Sequence, residues 1–407
     1  MKKWIGRILK ALGLIMLALF LFVGGCWFIQ PTLPQDTMVI GEEFLRDKDY
    51  AEVADSSVAI LLNVVKEQDL PSLSLAVGDE YGVLWAVSIG HADISNDITS
   101  KLNTRYRAGS VSKSITGLIA ARLVQNGVLD LDSKISNYVS AWPEKRWEPT
   151  VRQLASHTGG IRHYNGFGQP GFVEEQFSRK QYKSVSEALG IFLQDSLLYE
   201  PGSNFNYSTH GYTLLSAALE GATGDTFLSL LEEHINTSIG ISDTGPDDSS
   251  SDFPDRAIPY TRIGNRLVHT EGPNPSYKWA GGGLLTTPSD LVHVGVAMAN
   301  GEIVSDSLLH VLLTPENLTD GRPNPQNYAL GWRNWFESEL LNSVDTVKVW
   351  NHGGASPGGS SYFLVIPDGK ISAAVMTNFS LGDAWPIRKT CLQVAGMFRN
   401  YKTGVNN

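Results

Sequence analysis

The sequence predicts an α+β fold: one antiparallel sheet assembled from both ends of the chain, with flanking helices and a helical lobe inserted between them. Three observations predict it. Hairpin patterns occur near residues 72–89 and again near 362–376, the long middle reads as helices and Gly/Pro/Ser loops, and each hairpin lies next to a helix-period segment. A sheet needs cover on at least one face, and helices close to it in sequence are the economical source.

The elements follow in order. Ala51 to Gln68 has the apolar periodicity of a first helix. Ser72 to Val77 and Val83 to Ile89 are rich in β-branched and apolar residues, and Gly78 to Gly82 between them suits a turn. From Val111 to Val124 the apolar residues Val111, Ile115, Leu118, Ile119 and Leu123 recur at helical spacing, with Asn126-Gly127 as a stop. Gly211 to Glu220 and Asp225 to His234 read as further helices of the lobe. Val349 to Ala355 reads as a strand, and Tyr362 to Ile366 and Ile371 to Met376 flank Pro367-Asp368-Gly369-Lys370 as a second hairpin. Trp385 to Phe398 closes the chain as a helix. The expected organisation is an N-terminal anchor or signal at 1–30, a linker at 31–50, one folded domain at 51–400 and a tail at 401–407. Within that domain the sheet comes from about 51–109 and 345–400, and the mainly helical insertion from about 110–344.

Composition bounds the function. The chain has 407 residues, 42% of them apolar and only 18% charged, which is ordinary for a globular core. A net charge of -10, with no basic run beyond the first ten residues, argues against nucleic acid as a partner. Lys2, Lys3, Arg7 and Lys10 precede an uncharged stretch, Ala11 through Ile29, which is long enough to cross a bilayer of about 30 Å. Basic residues on that side predict that the remainder lies outside the cytoplasm, on the periplasmic face of a bacterial membrane. Val23-Gly24-Gly25-Cys26 keeps a lipoprotein attached through Cys26 as the alternative, and an ordinary cleaved signal is the third. Cys26 and Cys391 are the two cysteines, so no disulfide within the domain is expected.

Chemistry-bearing residues fall at three stations. Ser110-Val111-Ser112-Lys113 puts a hydroxyl and an amine three residues apart at a helix start, where they share a face and where free N–H groups favour negative charge. A lysine in a dry pocket can lose its proton and act as a base. Tyr207-Ser208-Thr209 places a phenol just before the helix that begins near Gly211, and a tyrosine relays protons if cations lower its pKa. Val349 to Ala355 carries His352, Gly353 and Gly354 on a strand whose edge offers N–H groups to a carbonyl oxygen.

Rival chemistries fit less well. Gly354-Ala355-Ser356-Pro357-Gly358 matches a nucleophile elbow, yet Pro357 lacks the N–H that an elbow uses, a strand follows where a helix is required, and no histidine lies downstream of His352. No His-Glu-x-x-His or phosphate loop occurs, and His157 and His163 are not spaced for one helix face. No metal and no cofactor is expected.

Taken in order, Ser-x-x-Lys at 110–113, Tyr-Ser-Thr at 207–209 and His-Gly-Gly at 352–354 resemble the serine β-lactamase and penicillin-binding-protein superfamily. The likeness is to its class C-related branch, which includes D-alanyl-D-alanine carboxypeptidases, family VIII esterases and the mitochondrial serine β-lactamase-like protein. Leu154-Ala155-Ser156-His157-Thr158-Gly159-Gly160 and Gly281-Gly282-Gly283-Leu284-Leu285-Thr286-Thr287 support it, over roughly residues 51–400. The resemblance implies a β-lactamase/transpeptidase-like fold, Ser110 as acylated nucleophile, Lys113 as its proton acceptor and Tyr207 as second base. It implies His352 where many relatives carry lysine, an oxyanion hole from the backbone N of Ser110 and Ala355, and substrate binding by Thr209, Gly353 and Gly354. Two departures bear on specificity. Thr209 stands where asparagine is common and is a poorer bidentate partner. His352 is mostly neutral at pH 7, which weakens attraction for a β-lactam carboxylate. The expected activity is that of a serine hydrolase acting on an ester or amide of a small-molecule or peptide substrate, cell-wall material included. A true β-lactamase and a non-catalytic penicillin-binding or scaffold protein are the alternatives.

Overall fold

In a computed structural model, residue 16 and residues 38–248, 255–264, 266–337 and 346–404 are described. The strands that matter for the site are β1 (Ile40–Leu45), β2 (Ser72–Asp79), β3 (Gly82–Asp93), β4 (Arg333–Glu337), β5 (Val347–Ser356), β6 (Gly359–Ile366) and β7 (Ile371–Thr377). They pair antiparallel in the order β1-β3-β2-β7-β6-β5-β4, and Ile98–Thr99 pairs with β3 as an eighth strand. The two ends of the chain meet where β2 pairs with β7, Leu75 opposite Val375.

Both faces of this sheet are covered, so its central strands are buried throughout. On one face Leu73, Leu75, Val77, Val375 and Leu364 pack against α1 (Ala51–Gln68) and α5 (Trp385–Thr403). On the other face, small residues such as Ala76, Ala86 and Ala374 join α2 (Ser112–Gln125), α3 (Thr209–Thr223) and α4 (Pro288–Ala299) in the lobe core. The period-2 alternation thus sends successive side chains into different cores. In α1, Leu61 and Val65 are fully buried, each worth about 1.5–3 kcal/mol relative to exposure. Cys391 in α5 is a buried free thiol.

The expected fold class, both hairpins and the closing helix are present. Three boundaries differ. Ile40–Leu45 lies in the stretch expected to be linker, yet it is β1, bonded along β3 from Ile40 opposite Ile89 to Leu45 opposite Trp85. Arg333–Glu337 lies in the stretch expected to be helical insertion, yet it is β4, paired with β5. Both are edge strands held by backbone ladders, so their side chains need little apolar character; Phe44 and Phe336 are exposed. The closing helix also continues past the expected tail boundary, to Thr403. The expected N-terminal anchor falls on residues 1–30, outside the described residues apart from Met16. Among the described residues no helix is long and apolar enough to cross a membrane.

Candidate active site

The site is built where the lobe meets the open edge of β5. Tyr106–Arg107 pairs with Leu284–Thr286 and delivers the chain into a 3-10 turn, Gly109–Val111, that runs into α2. Ser110 therefore precedes the α-helix proper by two residues. Gly109 has φ +51, and a Cβ there would stand 2.7 Å from the Ala355 amide nitrogen. Only glycine lets this turn press against β5. At Gly354 the approach is closer still, since a Cβ would meet the Ala108 carbonyl oxygen at 2.1 Å.

Lys113, one helical turn beyond Ser110, is fully buried. Its Nζ lies 3.2 Å from Ser110 Oγ and 3.2 Å from Thr209 Oγ1, and it donates to the Gly281 carbonyl oxygen. No carboxylate pairs with it among the described residues. Burial, reinforced by the charges of Lys278 and Arg333, holds the amine well below its ordinary range. Thr209 thus holds the lysine with its hydroxyl while also lining the cleft.

Tyr207 packs beside these groups, its ring centroid 4.8 Å from Lys113 Nζ. Burial pushes its hydroxyl up to about 12, outweighing the lowering effects of Ser110 and Arg333. The phenol is therefore protonated at rest, whereas burial favours loss of the proton from Lys113. Two histidines, His157 buried and His163 half-buried, position this segment. His157 Nδ1 accepts from the Ser208 amide at 3.1 Å and His163 Nδ1 from the Thr209 amide at 3.2 Å. Burial first, then Lys113, holds His163 down to about 3, so it stays a neutral acceptor.

His352 is fully buried behind Tyr207, with ring centroids 6.3 Å apart. Its Nδ1 lies 2.6 Å from the Gly353 carbonyl oxygen, which can only accept, so Nδ1 carries the proton and Nε2 accepts from Tyr328 Oη at 3.0 Å. Burial, then Arg333 and Lys113, holds the ring well below its ordinary pKa. It is a neutral, doubly bonded group and presents no charge to the cleft.

A cleft of about 250 Å³ opens at Ser110, lined by Tyr164, Thr209, Lys278, Gly282 and Ala355. β4 covers β5 only as far as Asn351, opposite Arg333, so Gly353 to Ser356 form an open edge beside the Ser110 turn. Gly353 itself borders a larger cavity of about 510 Å³, along with Asn351, Tyr362 and Arg388. Asn351 and Gly353 alternate with His352 and Gly354 along β5, and Arg333 and Gln326 line this cavity too. Ser356 ends β5 at the two-residue turn Pro357-Gly358 before β6, and no helix follows it. Among the described residues no cluster of three or more His, Cys, Asp or Glu side chains is arranged to hold a metal ion.

The sequence profile of the Beta-lactamase family matches residues 58–387. The chain belongs to the beta-lactamase family. Its relatives within this family include the serine beta-lactamase-like protein LACTB, mitochondrial, of Homo sapiens, 29% identical over 399 residues, covering 78% of this chain and 73% of that protein. Protein flp of Staphylococcus aureus (strain MW2) is 21% identical over 325 residues, covering 79% and 62%. Among solved structures, a D-amino acid amidase from Ochrobactrum anthropi superposes with a TM-score of 0.72 at 20% identity, covering 86% of this chain and 99% of that one. As a member of the beta-lactamase family the chain is a serine hydrolase.

The fold brings Ser110, Lys113, Tyr207, Thr209 and Ala355 to one cleft, with His352 behind them. Two cations near this beta-lactamase-family site had no signal in the sequence pattern. Lys278 is nine-tenths buried, 5.4 Å from the ring centroids of Tyr164 and Tyr277. Arg333 lies 5.7 Å from the Tyr207 ring and 5.2 Å from the Tyr328 ring.

Proposed function

We propose that the protein hydrolyses an ester or amide through an acyl-enzyme on Ser110. The observation that carries the reading is the fully buried Lys113 amine 3.2 Å from Ser110 Oγ, with no carboxylate to hold a proton on it among the described residues. Neutral Lys113 takes the Ser110 proton while Oγ bonds to the carbonyl carbon. The oxyanion forms against the amides of Ser110 and Ala355, and each such donor is worth roughly 3–4 kcal/mol of transition-state stabilisation. Tyr207 gives its proton to the departing amine or alkoxide and recovers one from Lys113. Water then cleaves the acyl-enzyme over the same groups in reverse.

A peptidase or esterase is favoured over a β-lactam specialist, because His352 is buried and neutral where a charge would hold a carboxylate. Two structural neighbours, a D-amino acid amidase and a hydrolase with promiscuous acyltransferase activity, support acyl transfer of this kind. The domain works outside the cytoplasm, held by its N-terminal segment; the support for this is the basic flank and uncharged stretch within residues 1–30. Intact mass after exposure to a fluorophosphonate and to a penicillin tests the nucleophile. Added mass on the wild type and none on Ser110→Ala is expected; label on Ser110→Ala sinks the assignment. A turnover panel of p-nitrophenyl esters, D-alanyl peptides and nitrocefin ranks the substrates, and fast nitrocefin hydrolysis overturns the ranking.

A further inference from the structure

Two basic side chains, Lys278 and Arg333, stand beside the proton path from Ser110. Lys278 lies on the cleft wall. Arg333, the first residue of β4, stands on the other side, over the faces of Tyr207 and Tyr328. Its Nε and Nη2 both donate to Gln326 Oε1, at 3.2 and 2.7 Å, so the guanidinium plane is clamped. It makes no ion pair with a carboxylate among the described residues, and its charge is directed at the aromatic faces and the lysine behind them. A cation at a ring face is attracted to it, and more strongly as the phenol gains negative charge.

Resting on the acyl-enzyme reading, we infer that Arg333 is a positioning residue for proton transfer: clamped by Gln326 over Tyr207, it disfavours a proton lodging on Lys113 and stabilises Tyr207 as its hydroxyl proton departs. The balance is simple. Ser110 Oγ loses a proton to Lys113 Nζ, the leaving group gains one from Tyr207, and Lys113 returns its proton to Tyr207. Between those transfers Lys113 is positive and Tyr207 is developing negative charge; Arg333 favours proton loss from each, which drives the proton off Lys113 and eases donation by Tyr207 to the leaving group. The other groups facing Lys113 are Ser110, Thr209, the Gly281 carbonyl and Tyr212, with Lys278, His157, His163 and His352 around them. The charges that act on Lys113 come from Lys278 and Arg333.

The test uses the full chain as wild type, Arg333→Met, Arg333→Lys and Gln326→Leu. Acylation by p-nitrophenyl acetate is followed across pH, and Lys113 is titrated directly by NMR of 13C-labelled lysine, assigned with Lys113→Met. In Arg333→Met, acylation at neutral pH should fall roughly tenfold and the acidic limb of the profile should move up by about one unit, because the lysine holds its proton to higher pH. The Lys113 titration should move the same way. Arg333→Lys should restore most of the limb position, and Gln326→Leu should shift it partway, with the charge kept but the clamp lost. A slower Arg333→Met whose pH limb and Lys113 titration coincide with wild type overturns the inference. If Arg333→Met does not fold, the Gln326→Leu and Arg333→Lys profiles decide by the same criterion. Failure of Ser110 to take a fluorophosphonate would sink the acyl-enzyme reading separately, because the NMR titration needs no turnover.

Discussion

Lys113 and Arg107 are buried basic residues six positions apart in sequence, and the chain treats them in opposite ways. Arg107 donates to Asp247 at 2.7 Å, to Glu271 at 2.7 Å and to the Pro357 carbonyl at 2.6 Å, and Arg256 grips the same two carboxylates from the other side. Lys113 has only neutral oxygens around it. A buried charge with partners costs its desolvation and recovers it, and the result is a rigid joint between the Ser110 strand, the 247–271 segment and the turn after β5. A buried amine without them discharges its proton and becomes reactive. Reactivity and architecture here differ by the presence of two carboxylates.

The comparison breaks most sharply at Lys113. Lys113→Met should cost about a thousandfold in acylation, in line with loss of a general base. It should also stabilise the fold: a lysine neutral when folded and protonated when unfolded makes stability rise with pH, and methionine removes that penalty at neutral pH. A fluorophosphonate labelling rate and a thermal melt on the same sample check both halves. Asp247→Ala, in contrast, should destabilise by about 3–5 kcal/mol by stranding Arg107 and Arg256, read as the midpoint of a denaturant titration.

Glu271 sharpens the contrast through pH. Although burial opposes it, bonds from His269 and Arg256 hold its carboxyl far below the ordinary range. Its contribution is therefore present above the unfolded carboxylate value of about 4.3 and is lost as pH falls below it. The gap between the thermal midpoints of wild type and Glu271→Gln, measured from pH 7 to 3, should begin to narrow below about pH 4, because the loss runs down to the much lower folded value. Parallel curves would mean the joint owes nothing to this charge. The smallest effect is expected at Thr209→Asn, which keeps a side-chain oxygen for Lys113 and adds an amide donor. Acylation should change by no more than severalfold, and the ratio of D-alanyl peptide to simple ester turnover should rise.

What could be read from the sequence had periodicity or fixed spacing behind it. Helix α1 has the bounds its apolar pattern predicts, and the hairpins of β2 with β3 and β6 with β7 are where alternating residues placed them. Ser110 and Lys113 were visible because their closeness is local to one turn. β1 and β4 were missed because a backbone ladder leaves no mark on side chains: Ile40–Leu45 is held by amides and by bonds such as Trp85 Nε1 to Glu43 at 2.8 Å. Arg333 and Lys278 were missed for another reason. Their importance comes from tertiary placement over Tyr207 and beside the cleft, and neither has a sequence neighbour that hints at it. His352 was visible as a position, but its neutral, bonded state depends on Tyr328, which lies on a different segment.

The seam between the Ser110 turn and β5 has a consequence for assembly. Ser361 Oγ donates to the Ala108 carbonyl at 2.7 Å across 253 positions of chain, beside the Gly109 and Ala355 contact. Contacts this distant in sequence close late, after nearby pairings have formed. Ser110 and Lys113 can meet as soon as α2 winds, whereas the pocket for the oxyanion waits for the C-terminal hairpin to dock. A newly made or partly unfolded chain therefore holds Ser110 and Lys113 together before the Ala355 amide stands beside them, and the cleft is complete only once both ends of the chain are in place.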